Sequence, residues 1–290
     1  MKRVFLDWSP KASSNKKIIM FISIITINKN NLNGLKNTME SVLSQTCDHY
    51  EWIIIDGGST DGCVELIKEN ASRIHYWVTE PDGGIYNAMN KGIEVSTGDY
   101  LLFLNSGDRF ASPVILSSFI EMHFSSDVVY GNAIFVDVNN KEVGRSIAPD
   151  TIRLSGFWNR RGLHHQASFF SKRCFEKLRY NEENRIASDT ELFMRLIYGG
   201  FSFERWDFFV DRFEVGGLSS IMADCGAKEF NAIVNRVLPP GIKADYDEFI
   251  QNRDVDLYIL VRQIISSKRW VRIAARLVLL PFRLLGVRSS

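Results

Sequence analysis

The chain has 290 residues, with 35 Lys+Arg against 34 Asp+Glu, 45% hydrophobic and 12% aromatic residues. That length and apolar content exclude a disordered or fibrous protein and suffice for a proper buried core. A net charge of +1 argues against a dedicated nucleic-acid binder.

Ile18 to Ile27 is almost continuously apolar and β-branched, the pattern of a strand buried on both faces. After the polar turn Asn28-Lys29-Asn30-Asn31, residues Leu32, Leu35, Met39, Val42 and Leu43 recur at helical spacing. A second buried strand, Trp52 to Ile55, runs into Asp56-Gly57-Gly58-Ser59-Thr60-Asp61-Gly62, followed by a helix carrying Val64, Leu66 and Ile67. Ile74 to Thr79 predicts a third strand, Ile85 to Ile93 a third helix, and Asp99 to Leu104 a fourth strand ending at Asn105-Ser106-Gly107-Asp108. Strand and helix thus alternate as in a parallel, doubly wound α/β sheet, where ligands bind beyond the carboxyl ends of the strands. Further on, Asp127 to Val138 predicts a strand, Thr190 to Tyr198 a helix and Phe201 to Val210 another strand.

The four cysteines show no disulfide or zinc spacing. Met1 to Lys17 has no apolar run before Pro10, which predicts no signal peptide. No stretch reaches 18 uncharged apolar residues, so no transmembrane helix is expected and a cytoplasmic protein is.

Several polar clusters sit at the predicted strand ends. Asp56 can accept hydrogen bonds from a nucleobase or ribose, with glycines letting a ligand approach the backbone; the plain alternative is a βα turn capped by Ser59 or Asp61. Glu80-Pro81-Asp82-Gly83-Gly84 opens a helix whose Tyr86, Asn87, Asn90 and Lys91 lie off its apolar side, as site residues or as a solvated face. Oxygen ligands at Asn105 and Asp108 suit Mg²⁺ or Mn²⁺, or form a simple turn. No G-x-G-x-x-G follows the first strand and no phosphate-loop signature occurs, which excludes a dinucleotide-binding dehydrogenase and a P-loop kinase.

Four stretches in order resemble the family 2 glycosyltransferases: Ser23 to Asn28; Ser41 to Thr46 through Ile55 to Gly62; Glu80 to Gly92; and Thr97 to Asp108. The likeness covers roughly residues 18–215 and is strongest to the branch that builds bacterial exopolysaccharides and surface glycans. It implies an α/β GT-A fold, with a Rossmann-like, mostly parallel central sheet flanked by helices, to which the C-terminal pattern below adds an amphipathic helical extension. It also implies a nucleotide-sugar donor, UDP favoured, held by Thr26, Asn28, Asp56, Gly58, Ser59, Asp82, Lys91, Asn105, Ser106 and Gln166. Asn105 to Asp108 fall where the family carries D-x-D, leaving Asp108 as the carboxylate and Asn105 beside it as metal ligands for Mg²⁺ or Mn²⁺. Gly57 stands where a second Asp is usual.

Inverting transfer needs a carboxylate to deprotonate the acceptor hydroxyl. The resemblance maps that base onto Asp189, with Glu191 as runner-up and Ser188 in place of the family's Glu; locally, Ser188 or Asp189 could simply cap the helix. Arg160 to Phe170 supplies an acceptor-side cluster, and the resemblance favours His165 with Gln166 as functional.

Residues 257–290 hold seven Lys/Arg and no acid, with Arg262, Arg269, Arg276 and Arg283 seven apart among apolar residues. This reads as an amphipathic helix on the inner membrane surface, consistent with a lipid-linked saccharide acceptor; a packed terminal helix or oligomer contact is the alternative. The remaining body is acidic, with 28 basic against 34 acidic residues. The expected organisation is an N-terminal extension (1–17), a GT-A domain (18–250, with a nucleotide half 18–108 and an acceptor half 109–250) and a basic tail (251–290). The expected enzyme is peripheral to the cytoplasmic face of the inner membrane. A sugar nucleotidyltransferase and a catalytically degenerate scaffold are the competing functions.

Overall fold

The computed structural model describes residues 20–153, 156, 162–217 and 222–251. The N-terminal extension, Arg160, Arg161 and the basic tail lie outside the described residues. The chain divides into two compact units at Val237/Leu238.

In the first unit the expected alternation is present. Strand β1 (Ile22–Asn28) leads to helix α1 (Leu32–Leu43), β2 (Tyr50–Asp56), α2 (Cys63–Glu69), β3 (Tyr76–Thr79), α3 (Ile85–Val95) and β4 (Tyr100–Phe103). Then come β5 (Arg109–Phe110), α4 (Ile115–Glu121), β6 (Val128–Val136), β7 (Glu142–Ser146) and β8 (Ser168–Ser171). The unit ends with α5 (Ser188–Tyr198), β9 (Phe203–Glu214) and α6 (Ala223–Val237). In the second unit, α7 (Pro240–Gln251) carries an ion pair from Lys243 to Asp247 one turn on.

The nine strands among the described residues form one sheet in the order β3-β2-β1-β4-β8-β6-β9-β5, with β7 paired to β6. The first four are parallel, as their apolar runs predicted. Ile22, Ile24, Ile25, Ile53, Ile54 and Ile55 are all essentially inaccessible, each such side chain contributing roughly 1.5–3 kcal/mol of burial. Helix α3 packs on this sheet through Gly92, where a Cβ would come within 2.4 Å of Ile25 Cγ2. The second half is mixed: β8 is antiparallel to both β4 and β6, and β9 is parallel to β6. Its core is aromatic, with Phe119 stacked on Phe169 at 3.8 Å and edge-on to Trp206 at 5.8 Å.

One consequence governs the site. Two successive antiparallel pairings restore direction, so β1, β4, β6 and β9 all run the same way. Their carboxyl ends share one edge of the sheet, and β8 begins there.

Candidate active site

A cleft of about 1000 Å³ runs along that edge. It is lined by Asn28 and Lys29 at the end of β1, Asp82 to Tyr86 with Ala88 and Met89 at the start of α3, Asn105 to Asp108 after β4, and Leu163 to Gln166 before β8. Asp189 of α5, Phe135 of β6, and Phe213 and Glu214 of β9 also line it. With strands about 4.8 Å apart, β6 lies roughly 14 Å from β1, enough for a nucleotide and a sugar side by side.

Asp56 is fully buried and accepts four hydrogen bonds: from Asn28 Nδ2 (2.7 Å), Ser59 Oγ (2.6 Å), Ser59 N (2.9 Å) and Thr79 Oγ1 (2.6 Å). Burial raises its pKa, but the donors from Ser59, Thr79 and Asn28 outweigh it and hold the carboxylate charged below its usual range. Asp56 does not line the cleft; it orients Asn28, which does. The Asn28 Oδ1 atom is buried and has no hydrogen-bond partner among the described residues, an acceptor left for a ligand. Gly58 (φ +78°) and Ser59 shape the loop behind it, Ser59 Oγ also accepting from Asn30 N at 2.7 Å. Thr26 sits deeper still: its hydroxyl donates to Leu104 O at 2.8 Å and accepts from Trp52 Nε1 at 3.0 Å.

Gly57, the departure from Asp-Asp, has a spatial reason. A Cβ there would stand 2.5 Å from Asp82 Oδ2, so Asp82 fills the room a second aspartate would need. Asp82 Oδ1 accepts from Gly84 N at 3.0 Å, and Gly84 takes φ +118° to start α3, which has no side-chain cap. Lys91 is not in the cleft; its Nζ pairs with Glu80 at 2.8 Å. Lys29 lines the cleft instead, at the end of β1. Asn87 and Asn90, far from forming a solvated face, donate to Glu182 at 2.8 Å each.

At the end of β4, Asn105 Nδ2 lies 3.3 Å from His165 Nε2, and His165 Nδ1 lies 3.5 Å from Asp189 Oδ2. Asp189 stands in the first turn of α5 with its side chain 26% exposed. Glu191, two residues on, is turned the other way. It is fully buried against Arg195 (2.6 Å), Asn184 (2.7 Å), Asn181 (3.2 Å) and Arg236, and ties α5 to α6. Burial raises its pKa, but Arg236, Asn184, Arg195 and Asn181 together hold it low. It is outside the cleft, and its oxygens are taken.

Asp108 is buried, with Oδ1 accepting from Glu214 N at 3.3 Å. Burial pushes it up to about 7 against His165, the Glu214 N–H and the Gln166 amide. Asp211 beside it is fully buried, its two oxygens without a partner among the described residues, and burial raises its pKa well above the usual carboxylate range. The residues read as Mg²⁺ or Mn²⁺ ligands therefore offer one amide oxygen, the orphaned Asn105 Oδ1, and one buried carboxyl, that of Asp108. No three His, Cys, Asp or Glu side chains converge as a cation cage among the described residues. This donor set does not fit a cation held by the protein alone.

Three contributors, Thr38, Phe135 and Phe213, escaped the sequence reading, whereas His164 falls in the cluster it singled out. Thr38 of α1 anchors the loop after β4, donating to Asp108 O at 2.7 Å and accepting from Gly107 N at 3.0 Å; Ser106 O meanwhile accepts from Asn31 Nδ2 at 3.1 Å. Phe135, His164 and Phe213 form an aromatic wall with ring centroids 5.3–6.2 Å apart. Burial brings His164 down to about 4, so it is neutral there.

Residues 23–196 match the model of glycosyl transferase family 2. The chain belongs to that family. It is 34% identical over 186 residues to an uncharacterized glycosyltransferase of Mycobacterium tuberculosis, covering 60% of this chain and 68% of that one. It is 32% identical over 201 residues to a PGL/p-HBAD biosynthesis glycosyltransferase of Mycobacterium bovis, covering 66% and 75%. Among solved structures, S. aureus TarS 1–349 in complex with UDP-GlcNAc superposes with TM-score 0.61 at 16% identity, covering 87% of this chain and 78% of that one. The mannosyltransferase PcManGT from Pyrobaculum calidifontis, with GDP-Man and Mn²⁺, gives 0.59 at 13%, covering 93% and 84%. The fold is thus GT-A and the protein a nucleotide-sugar-dependent glycosyltransferase of bacterial glycan biosynthesis. The family match sets aside the nucleotidyltransferase reading.

Proposed function

We propose that this glycosyltransferase moves a sugar with inversion from a UDP-sugar to a hydroxyl of a lipid-linked glycan, with Asp189 as the base. The observation that carries this reading is the pairing of Asp189 with His165 on the cleft wall while Glu191 is sequestered behind it. The Asp189 carboxylate takes the acceptor proton as the hydroxyl oxygen attacks the anomeric carbon, and the bond to the nucleoside diphosphate breaks on the opposite face. His165 holds the carboxylate in place. Lys29 and the uncapped N-terminus of α3 meet the negative charge of the departing diphosphate.

Asn28 Oδ1 is the acceptor for the nucleoside, and Asp56 sets its orientation. The wall of Phe135, neutral His164 and Phe213 offers the acceptor an apolar platform against which a sugar ring can stack. The UDP and UDP-GlcNAc complexes of TarS support a UDP donor. Residues 257–290 would dock the enzyme on anionic lipid; among the described residues no helix is long and apolar enough to cross a membrane.

Purified protein incubated separately with UDP-GlcNAc, UDP-glucose and GDP-mannose tests the reading. Release of nucleotide with one donor, water standing in for the acceptor, is expected. Binding without release from all three would support the degenerate-scaffold alternative instead.

A further inference from the structure

Glu229, on α6, does not line the cleft. Its carboxylate grips the chain that leads into α5. Oε1 accepts from Arg185 N at 2.6 Å, and Oε2 accepts from Ile186 N and Ala187 N at 2.9 Å each. Three successive backbone N–H groups thus converge on one side chain, a concavity that suits an anion. Burial raises the pKa of Glu229, but the N–H groups of Arg185, Ile186 and Ala187 outweigh it and hold the carboxylate below its ordinary range.

Helix α5 lacks an anchor of its own at this end. It starts at Ser188 with Ala187 in the capping position, and an alanine carries no capping oxygen. A negative charge just ahead of the first turn also complements the helix dipole. Ile186, the middle residue of the gripped segment, lines the cleft, as does Asp189 three residues on. Between them Ala187 and Ser188 are buried, and Ser188 Oγ accepts from Asn181 N at 2.6 Å. Where the backbone of residues 185–187 lies therefore sets where the first turn of α5 lies, and with it the Asp189 carboxylate. Further along α6, Arg236 pairs with Glu191. Helix α6 thus holds α5 at two points, one ahead of Asp189 and one behind it.

We infer that Glu229 is a positioning residue, its carboxylate clamping the backbone of Arg185, Ile186 and Ala187 so that the Asp189 carboxylate meets the acceptor hydroxyl in register with the donor. The inference rests on Asp189 being the base. Without the clamp, backbone N–H groups ahead of α5 lose their acceptor, and the segment shifts to find others. Even a shift of about 1 Å at a reacting group can cost on the order of a hundredfold in rate.

Glu229→Gln keeps the size of the side chain but offers one acceptor oxygen in place of two, so an NH₂ group faces at least one backbone N–H. With whichever donor supports nucleotide release, kcat per UDP-binding site is expected to fall at least tenfold, while the Kd for UDP, by calorimetry, stays within twofold. Glu191→Gln cuts the other tie between α5 and α6 and controls for a loosened interface. Its kcat per UDP-binding site is expected to stay within twofold of wild type. Wild-type kcat in Glu229→Gln overturns the inference and leaves the base assignment standing. An equal loss in both variants also overturns it, because loosening α6 anywhere would then suffice. Full turnover by Asp189→Asn overturns the inference and the base assignment together. Amide hydrogen exchange in the wild-type protein needs no substitution: protected Ile186 and Ala187 amides are expected, and unprotected ones contradict the clamp.

Discussion

His165 stands between two cleft residues, its Nδ1 3.5 Å from the Asp189 carboxylate and its Nε2 3.3 Å from the Asn105 amide. The chain segments before β8, after β4 and at the start of α5 meet through this one ring. Both ring nitrogens are engaged, so its orientation is determined from two sides. Replacing His165 by Ala should lower kcat for donor hydrolysis by about 10²-fold with little change in UDP affinity. Steady-state kinetics beside calorimetry checks this, and unchanged kcat would remove His165 from the machinery.

Gly57 and Asp82 share one space. Gly57→Ala forces the Asp82 carboxylate to move, since a Cβ would lie 2.5 Å from its Oδ2. Asp82 is a side-chain tip and can swing away, so stability should change by less than about 1 kcal/mol while the Kd for UDP rises several-fold. Gly92→Ala makes the contrast: its Cβ meets buried Ile25 at 2.4 Å, and overpacking there should cost roughly 1–3 kcal/mol. Thermal melts with and without UDP separate the two.

Glu191→Gln should act on stability rather than chemistry. Removing one charge from a buried cluster leaves Arg195 and Arg236 without their partner, a loss of roughly 3–5 kcal/mol. Urea unfolding measures it. Turnover per folded, UDP-binding molecule should remain near wild type; its abolition would return Glu191 to candidacy as the base.

Asp108 gives stability a pH dependence of known sign. Its folded value of about 7 lies above its ordinary 3.8, so the native state favours the protonated form. That contribution is fully present below about 3.8 and is lost as pH rises through about 7. Asp108→Asn cannot ionise and should gain stability relative to wild type between pH 4 and pH 8. Unfolding curves of both proteins across that range show it; a constant difference would contradict it.

Chelation tests the donor set at the end of β4. With one carboxylate at Asp108 and an amide at Asn105, EDTA should leave UDP bound with a Kd within about threefold of its value in Mn²⁺. A loss of a hundredfold or more would mean that a cation bridges the protein and the diphosphate.

Much of the nucleotide half was legible because parallel strands buried on both faces read as continuous apolar runs, as at Ile22 to Ile27 and Trp52 to Ile55. The polar residues that end those runs, Asn28, Asp56 and Asn105 to Asp108, fell on the correct edge for the same reason. The acceptor half was harder. Strand β5 is two residues long, and β7 is a largely exposed strand without alternation. Helices α6 and α7 were not foreseen. Within the site, Asp189 and Glu191 lie on opposite sides of α5, since two residues turn a helix by about 200°. Which side faces the cleft depends on Arg236 and Asn184, distant in sequence. The division of labour between Asp56 and Asn28 and the exclusion of Lys91 by Glu80 are likewise tertiary facts that no local pattern carries.

The base assignment is the central claim, and Asp189→Asn tests it most directly. The variant should bind UDP with wild-type affinity and stoichiometry while releasing nucleotide from the donor at least a thousandfold more slowly. UDP binding together with turnover near the wild-type rate would contradict it.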